Sequence, residues 1–385
     1  MLIHVAVCGI GLGHVTRSVE VAEELVRRGH SIFFTAYDQA YTYLVKAGLA
    51  PAKVMKVGYG VGADGTISVK KTLYANVTLP IKFTAQTLSE IALMCEDEAD
   101  VVLSDTRASA TLAAAVLRKP VATILNQYNV KLQSSKHPKL AAFAEKAIQA
   151  PQIIWNMSNV VIVPDLPPPY TISDATLQFP EKIREKILYT GPLIEIKQAS
   201  KTEVEKIREQ HEASDKPLVL VVVSGGVEEK KSFVEKLFSL ADGLGMDFSY
   251  VVSTAEVQAN SEIRKGPMIL KSWITDLDAY IQAADVVVCR AGQTMISRCI
   301  LYEKPMVLIP TPHHGEQVSN AYKAERLGIG QVLDQPNLNA FDLETAVASV
   351  LDNGDVRYHL SALNRLSRSL GGVQAAASAV EELGR

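Results

Sequence analysis

A glycine-rich segment near the amino terminus ends in a histidine whose position suits proton transfer. An apolar run over residues 2–7 is followed by Gly9-Ile10-Gly11-Leu12-Gly13-His14, and a helical pattern of apolar residues begins at Val15. Glycines let a backbone approach a ligand closely, and a helix amino terminus offers N–H groups to an anion. Imidazole titrates near neutral pH, so His14 could act as a general base. The alternative is a tight strand–helix turn in which Gly11, Gly13 and His14 are structural.

A carboxylate is expected at the same edge of the sheet as His14. Residues 100–103 read as a later strand of the same sheet, and this strand ends in Ser104 and Asp105. The carboxyl ends of parallel strands meet at one edge, where ligands of such folds bind. Asp105 could therefore hold the imidazole tautomer and stabilise the imidazolium. It could equally be the N-cap of the helix predicted over residues 108–117.

The second half of the chain carries polar groups directly after two predicted strands. The first run reads Arg290-Ala291-Gly292-Gln293-Thr294, and the second includes His313-His314-Gly315-Glu316-Gln317. The carboxylate of Glu316 and the amide of Gln317 suit the vicinal hydroxyls of a sugar. No carboxylate or cysteine stands at a convincing ligand spacing from the two histidines, so we predict no metal site.

Composition excludes several classes of protein. The 385 residues carry a formal net charge of -3, which argues against a nucleic-acid binder. The four cysteines form no C-x-x-C pair, so neither a disulfide framework nor a zinc site is expected, and a reducing compartment fits best. No signal-peptide pattern and no run of about 20 apolar residues is present. We therefore expect a soluble, cytoplasmic protein.

Strand-like and helix-like segments alternate along both halves of the chain, which predicts an α/β fold with parallel, doubly wound sheets. The predicted strands cover residues 2–7, 32–35, 53–57, 100–103, 121–125, 218–223, 248–253, 268–270, 286–289 and 306–309. Helices are predicted between them, including one that Gly29 ends as an αL cap.

Prolines and glycine near Gly191 mark the boundary between two Rossmann-like domains. We predict an acceptor-side domain over residues 1–190, a nucleotide-sugar donor domain over residues 191–360, and a terminal helix over residues 361–385 that crosses back to the first domain. Two such domains facing each other would bind ligands in the cleft between them.

At these motifs the chain resembles GT-B glycosyltransferases of family 28, including the N-acetylglucosaminyl transferase that forms lipid II. Gly9–Ser18, reading G-I-G-L-G-H-V-T-R-S, is similar to the G-L-G-H-x-x-R loop of an archaeal and bacterial subgroup. Residues 273–321 resemble the donor-binding region of that family. The resemblance covers nearly the whole chain as a pattern, whereas the specific motifs cover about a quarter of it.

The resemblance implies an inverting transfer, without a metal ion, of a hexose or N-acetylhexosamine from a nucleoside diphosphate sugar, with UDP expected. His14 would deprotonate the acceptor hydroxyl, Asp105 would orient His14, and Gly11, Gly13 and Arg17 would form an acceptor or phosphate loop. The helix amino terminus at Gly292 would replace a metal at the donor diphosphate. The donor-binding residues would be Ser224, Gly225, Gly226, Trp273, Ile274, Arg290, Gly292, Gln293, Thr294, Arg298, Glu316 and Gln317.

One position departs from the family pattern. The family has a glutamate on the donor-site helix that accepts hydrogen bonds from the ribose hydroxyls, and this chain has Arg298 there. Arginine only donates, so it could meet a phosphate or another anion but cannot accept from ribose. Ser297 could substitute in part.

The acceptor is expected to be a glycan, a lipid-linked sugar or a small molecule. Family members often act on lipid-linked acceptors, and residues 68–94 mix lysines with apolar side chains that could contact the inner face of the membrane. The alternative for this segment is an ordinary loop and helix of the first domain.

Two rival functions keep the same fold. A nucleotide-sugar 2-epimerase would carry a Ser-Gly-Gly and paired-glutamate motif late in the donor region, whereas Ser224-Gly225-Gly226 with Glu228 and Glu229 comes too early. A catalytically inert nucleotide-sugar-binding subunit is favoured by Arg298. His14 and Asp105 speak against a pure binder, because binding alone needs no base.

Overall fold

The structure is a computed structural model that describes residues 1–57, 79–129, 151–225, 227–254 and 261–385. The chain divides into two compact units. Unit 1 contains the described residues up to Glu195 together with Arg368–Arg385, and unit 2 runs from Ile196 to Ser367.

Unit 1 is built on a parallel sheet with the strand order β3-β2-β1-β4-β5-β6-β7. Its strands are β1 (Leu2–Val7), β2 (Ser31–Ala36), β3 (Ala52–Lys53), β4 (Val101–Asp105), β5 (Val121–Ile124), β6 (Val160–Val163) and β7 (Ile187–Tyr189). Its helices before the boundary are α1 (Leu12–Arg27), α2 (Asp38–Lys46), α3 (Leu79–Glu96), α4 (Ala108–Val116) and α5 (Pro151–Trp155).

The core of unit 1 lies on both faces of this sheet. Ile3, Val5 and Val7 of β1 point to one helix layer and Ala6 to the other, as expected for a strand covered on both faces. The exception to the apolar character of β1 is His4, which is fully buried with its Nε2 2.8 Å from Oε2 of Glu90. On α1, Val15 and Leu25 belong to the buried stripe that packs on the first face. Gly29, with φ 88°, ends α1 in the left-handed conformation that the sequence predicted.

Unit 2 repeats the plan with the order β10-β11-β9-β8-β12-β13-β14, parallel except for the β10–β11 pair. Its strands are β8 (Leu218–Val222), β9 (Ser249–Ser253), β10 (Glu262–Lys265), β11 (Met268–Lys271), β12 (Val286–Cys289), β13 (Met306–Leu308) and β14 (Gly330–Val332). Its helices are α6 (Lys201–Gln210), α7 (Val227–Leu240), α8 (Leu277–Ala283), α9 (Gln293–Leu301), α10 (Gly315–Arg326), α11 (Ala340–Asp352) and α12 (Gly354–Ser369).

The last helix, α13 (Gly372–Leu383), belongs to unit 1. Val373, Ala376, Ala377 and Val380 are buried in the core cluster that also contains residues of α1 and β1. At the helix end, Glu381 accepts hydrogen bonds from Arg28 and His30, both at 2.7 Å. The chain passes back to unit 1 at Arg368, seven residues after the start of the predicted terminal segment at residue 361.

Candidate functional site

The topology brings His14 and Asp105 to one point of the unit 1 sheet. Strands β1 and β4 are neighbours in register, with Val7 opposite Asp105, although nearly a hundred residues separate them. The chain places β2 and β3 on one side of this pair and β5 to β7 on the other. The gap between β1 and β4 is therefore the topological switch point of the sheet, where loops diverge and ligands of doubly wound folds bind.

The glycine loop between β1 and α1 has one glycine fixed by packing and one by its backbone conformation. A Cβ on Gly9 would lie 2.2 Å from the carbonyl oxygen of Tyr37, so no other residue fits there. Gly11 has φ 76° and precedes α1 as an N-cap without a side-chain cap, and a Cβ there would meet only open space. The amino terminus of α1 therefore keeps free N–H groups beside open space, as an anion site needs.

His14 lies in the first turn of α1, with 18% of its side chain exposed, and its Nδ1 is 2.8 Å from Oδ1 of Asp105. Asp105 itself is fully buried. Arg17, one helical turn after His14, binds both carboxylate oxygens of Asp105. Its Nε donates to Oδ2 at 2.7 Å and its Nη2 donates to Oδ1. Ser18 adds a hydrogen bond from Oγ to Oδ2 at 3.0 Å. The carboxylate is thus held rigidly against the imidazole.

The charge of this cluster follows from its contacts. Burial alone would raise the pKa of Asp105, but the nearby charges of Arg17 and His14 outweigh it and hold the pKa well below its usual range. Asp105 is therefore ionised at any physiological pH. The helix after it begins at Ala108 with Arg107 as N-cap and no side-chain cap, so the N-cap alternative for Asp105 is wrong.

Arg17 occupies a different position from the one predicted for it. Only 3% of this residue is exposed. Its guanidinium is hydrogen-bonded to Asp105 and does not face the open side of the glycine loop. A phosphate ligand would have to displace that buried ion pair. Sequence reasoning missed this partnership, although spacings of three and four residues place His14, Arg17 and Ser18 on one face of α1.

Unit 2 also has a topological switch point, which lies between the neighbouring strands β8 and β12. These strands are paired with Val222 opposite Cys289, so the loops that follow them lie side by side. A Cβ on Gly292 would find only the hydroxyl of Ser224, at 3.9 Å, and otherwise open space. Gly225 has φ 124°, and a Cβ there would lie 2.4 Å from the carboxylate of Glu229, so glycine is required. The third residue of that predicted loop, Gly226, lies outside the described residues.

Helix α9 starts directly after Gly292, which caps it without a side-chain hydrogen bond. Gln293 is 4% exposed and its amide donates to Ser297 Oγ at 3.1 Å, so its side chain is engaged within α9. Thr294 is half-buried in the same turn. The N–H groups of the first turn of this helix, beside Ser224, form a place for an anion.

Arg290 is a buried cation next to that helix start. It is 1% exposed, lies 4.2 Å from the ring centre of Phe233, and donates from Nη2 to Thr311 Oγ1. Its Nε and Nη1 find no acceptor among the described residues. Burial lowers the pKa of Arg290 to about 10, partly offset by the charge of Glu229. Two buried donors without acceptors are costly unless an anion arrives.

Arg298 is engaged inside unit 2. Its Nη1 donates to Oδ1 of Asp278 on α8, and both residues are less than a tenth exposed. The pair ties α9 to α8, close to the loop that carries Trp273 and Ile274. Ile274 is 6% exposed and packs inward, and Trp273 is half-buried.

The loop after β13 is closed by its own side chains. Gln317 accepts the backbone N–H of Thr311 at 2.8 Å through Oε1, and its amide NH₂ can donate to a sugar hydroxyl. His314 is the N-cap of α10 and accepts the backbone N–H of Gln317 at 3.3 Å. Glu316 is half-buried in the first turn of α10.

In the described part of the chain, the group with metal-ligand spacing is Glu20, Glu23 and Glu195 in unit 1, and it includes neither His313 nor His314. Glu195 of that group already pairs with Arg27 at 3.0 Å. Among the described helices, none has the length and hydrophobicity to cross a bilayer.

Two family profiles divide the chain between them. "Glycosyl transferase family 1" matches residues 1–194, and "Glycosyltransferase family 28 C-terminal domain" matches residues 220–375. An uncharacterized glycosyltransferase of Methanosarcina acetivorans is 28% identical, with 97% of this chain and 96% of that protein covered. The UDP-N-acetylglucosamine--N-acetylmuramyl-(pentapeptide) pyrophosphoryl-undecaprenol N-acetylglucosamine transferase of Porphyromonas gingivalis is 31% identical over 52% of this chain and 55% of that enzyme.

Solved structures share the fold over nearly the full length. The calicheamicin glycosyltransferase CalG4 matches with a TM-score of 0.68 at 17% identity, covering 99% of this chain and 98% of that one. The spinosyn rhamnosyltransferase SpnG, solved with thymidine diphosphate, matches with a TM-score of 0.66 at 16% identity, covering 99% and 100%. The predicted α/β fold with two Rossmann-like domains is thereby confirmed.

Proposed function

This chain belongs to the glycosyltransferases, with the family 1 profile over residues 1–194 and the family 28 C-terminal profile over residues 220–375. On that premise we propose that it transfers a hexose or N-acetylhexosamine from a nucleoside diphosphate sugar, with UDP as the expected nucleotide, to a hydroxyl acceptor with inversion and without a metal ion. The observation that carries the proposal is the meeting of two loops in unit 2. Ser224 and Gly292 adjoin at the switch point between β8 and β12, at an uncapped helix start. Such a site suits a diphosphate.

Unit 2 supplies the charge that a leaving diphosphate needs. The N–H groups at the start of α9 are fixed in advance and need no reorganisation when negative charge develops on the leaving group. Arg290 adds a buried cation with two donor nitrogens that have no acceptor in the described part of the chain. These groups support a transfer that uses no metal at the phosphates, since they provide the neutralisation that a bound cation otherwise supplies.

Unit 1 supplies the base. Nε2 of His14 takes the proton of the acceptor hydroxyl while the oxygen attacks the anomeric carbon. The bond from that carbon to the diphosphate oxygen breaks, and the nucleoside diphosphate leaves with the electron pair. Asp105, ionised and 2.8 Å from Nδ1, stabilises the imidazolium that forms. A single displacement of this kind inverts the anomeric configuration.

The proposed acceptor is inferred from apolar side chains that helix α3 exposes. Lys70, Lys71 and Leu73 of the segment proposed to contact a membrane lie outside the described residues. In the described part, α3 exposes Ile81 by 72% and Leu88 by 60%. We propose a lipid-linked acceptor and contact with an anionic membrane surface. Sedimentation with anionic liposomes is the expected result, and a protein that stays in the supernatant would remove the membrane part of the proposal.

Calorimetric titration with UDP, dTDP, GDP, ADP and their sugars, in metal-free buffer, tests the donor site. One diphosphate should bind, and Gly292→Trp should abolish binding by filling the space beside Ser224. Gly354→Trp is the matched control, because that glycine also faces open space but lies at the start of α12. If no nucleotide binds at millimolar concentration, the donor site is refuted.

Binding alone does not separate an enzyme from an inert subunit. His14→Ala should therefore retain the diphosphate affinity and lose sugar transfer by roughly 10²–10⁴-fold, the usual contribution of a general base. Equal transfer by the wild type and His14→Ala would refute the assigned base. Binding without any transfer by the wild type would favour the inert subunit.

A further inference from the structure

Arg17 has fewer hydrogens on Nη2 than the structure offers acceptors. Nε and one Nη2 hydrogen form the fork on Asp105, which leaves a single hydrogen on Nη2. His14 Nδ1 lies 2.9 Å from this nitrogen and Asn126 Oδ1 lies 3.3 Å from it. Thr106 Oγ1 is farther away, at 3.5 Å. The remaining hydrogen can go to the histidine or to the asparagine, but not to both.

The choice decides the tautomer of His14. If Arg17 donates to Nδ1, that nitrogen must be the acceptor of the neutral ring, and the ring proton then sits on Nε2. If Arg17 donates to Asn126, Nδ1 keeps the proton and donates it to Asp105 Oδ1 at 2.8 Å. Only the second arrangement leaves a lone pair on Nε2, and only then can Nε2 accept a proton.

We propose, on the premise that His14 is the base, that Asn126 is a positioning residue that takes the second Nη2 hydrogen of Arg17 and so keeps His14 in its reactive tautomer. This arrangement makes two charge-assisted hydrogen bonds, Arg17 to Asn126 and His14 to Asp105. The competing arrangement makes only one, Arg17 to His14. Asn126 acts through Arg17 and needs no contact with substrate.

The fold places Asn126 where this role requires it. It follows β5, the strand beside β4, and stands two residues after Ile124, whose carbonyl accepts the backbone N–H of Thr106 at 3.1 Å. The backbone carbonyl of Asn126 is also held, because it accepts from Thr176 Oγ1 at 3.5 Å. Asn126 thus stands at the same sheet edge as Asp105.

The tautomer can be read directly by ¹⁵N NMR of histidine-labelled protein at alkaline pH, with the His14 signals assigned by their loss in His14→Gln. The wild type should show a protonated Nδ1. Asn126→Leu should move the proton to Nε2, whereas Asn126→Asp, which keeps an acceptor oxygen, should leave it on Nδ1. A wild-type spectrum with Nε2 protonated, or an unchanged spectrum in Asn126→Leu, would overturn the proposal.

Removing the competing donor gives a second, independent test. In Arg17→Met/Asn126→Leu the protonated Nδ1 should return, because no guanidinium is left to donate to it. A purely structural role of Asn126 would not be reversed by a second substitution. If this double variant fails to fold, the spectra of the wild type, Asn126→Asp and Asn126→Leu still test whether Asn126 sets the tautomer of His14.

Kinetics separate this proposal from the proposed function. Asn126→Leu should lower kcat of sugar transfer about 10–100-fold, no more than the loss expected for His14→Ala, with KM for the donor sugar unchanged within about twofold. A wild type without transfer would refute the enzymatic role, while the NMR result would still report the tautomer. Equal kcat in a variant whose tautomer has switched would refute the role of Asn126 in catalysis.

Discussion

The carboxylate of Asp105 is fully buried, and the guanidinium of Arg17 binds both of its oxygens from the neighbouring helix. Two opposite charges removed from water attract strongly, but each becomes costly when its partner is taken away. The stability of unit 1 should therefore depend on this pair much more than on the exposed ion pairs, which contribute at most about 1 kcal/mol each.

Asp105→Asn should lower the free energy of unfolding of unit 1 by about 3–5 kcal/mol, because it leaves the Arg17 charge buried and unpaired. The chain has two tryptophans, Trp155 in unit 1 and Trp273 in unit 2. Urea unfolding followed by fluorescence in a Trp273→Phe background therefore reports on unit 1. The control is Asp100→Asn. Asp100 is exposed and accepts a hydrogen bond from Leu2 N at 2.7 Å, so this substitution should lower the free energy of unfolding by only about 1 kcal/mol. A similar small loss at Asp105 would contradict the prediction.

Arg290→Met should leave unit 2 as stable as the wild type or more stable by about 1–2 kcal/mol, because it removes a buried cation with two donor nitrogens that have no acceptor among the described residues. Methionine can keep the contact with Phe233. The affinity for the nucleoside diphosphate should nevertheless fall at least about tenfold. Calorimetry and urea unfolding in a Trp155→Phe background measure the two effects.

The matched control for that substitution is Arg208→Met. Arg208 is in unit 2 and donates to Asp285, to Ala283 O and to Lys216 O. Its loss should reduce stability by about 1–3 kcal/mol and leave the diphosphate affinity unchanged. If Arg290→Met behaved like this control, Arg290 would be a structural residue.

Strand order is the part of this site that sequence patterns did not provide. The apolar runs predicted β1 and β12 with their observed bounds, because strands buried on both faces are continuously hydrophobic. They did not predict β6 and β7 of unit 1, nor β10, an exposed edge strand with charged residues, nor β14, which has three half-buried residues. Which strands are neighbours depends on packing between distant segments. The helical spacing put Arg17 on the same face of α1 as His14, but it did not indicate that this face meets Asp105 or that Asn126 would stand beside it.

Asp278 and Arg298 give a test of whether Arg298 contacts the donor. Each residue is the buried partner of the other, so Asp278→Leu and Arg298→Met should each destabilise unit 2 by about 3 kcal/mol. The free energy of unfolding of the double variant should lie within about 1 kcal/mol of the wild-type value, because neither charge is left without its partner. Its diphosphate affinity should stay within about threefold. A tenfold loss in the stable double variant would instead show that Arg298 binds the phosphates.

His211 should make unit 2 sensitive to acid. Burial, followed by the charge of Lys271, lowers the pKa of His211 to about 4, and its Nδ1 has no acceptor in the described part of the chain. The unfolded chain binds a proton below about pH 6.5 that the folded protein takes up only near pH 4. Stability is thus fully present above pH 6.5 and is lost as the pH falls toward 4, by at most about 1.4 kcal/mol per pH unit.

Replacing this imidazole should remove its share of the acid sensitivity. His211→Gln keeps a side chain that can bond the Tyr280 hydroxyl, which lies 3.1 Å from Nε2 in the wild type, but it does not titrate. Urea unfolding at a series of pH values should show a shallower slope between pH 6.5 and 4 in this variant. His359→Gln, at an exposed histidine of the same unit, is the matched control for the substitution itself. Parallel slopes for the wild type and His211→Gln would mean that His211 is protonated as easily in the folded protein as in the unfolded chain.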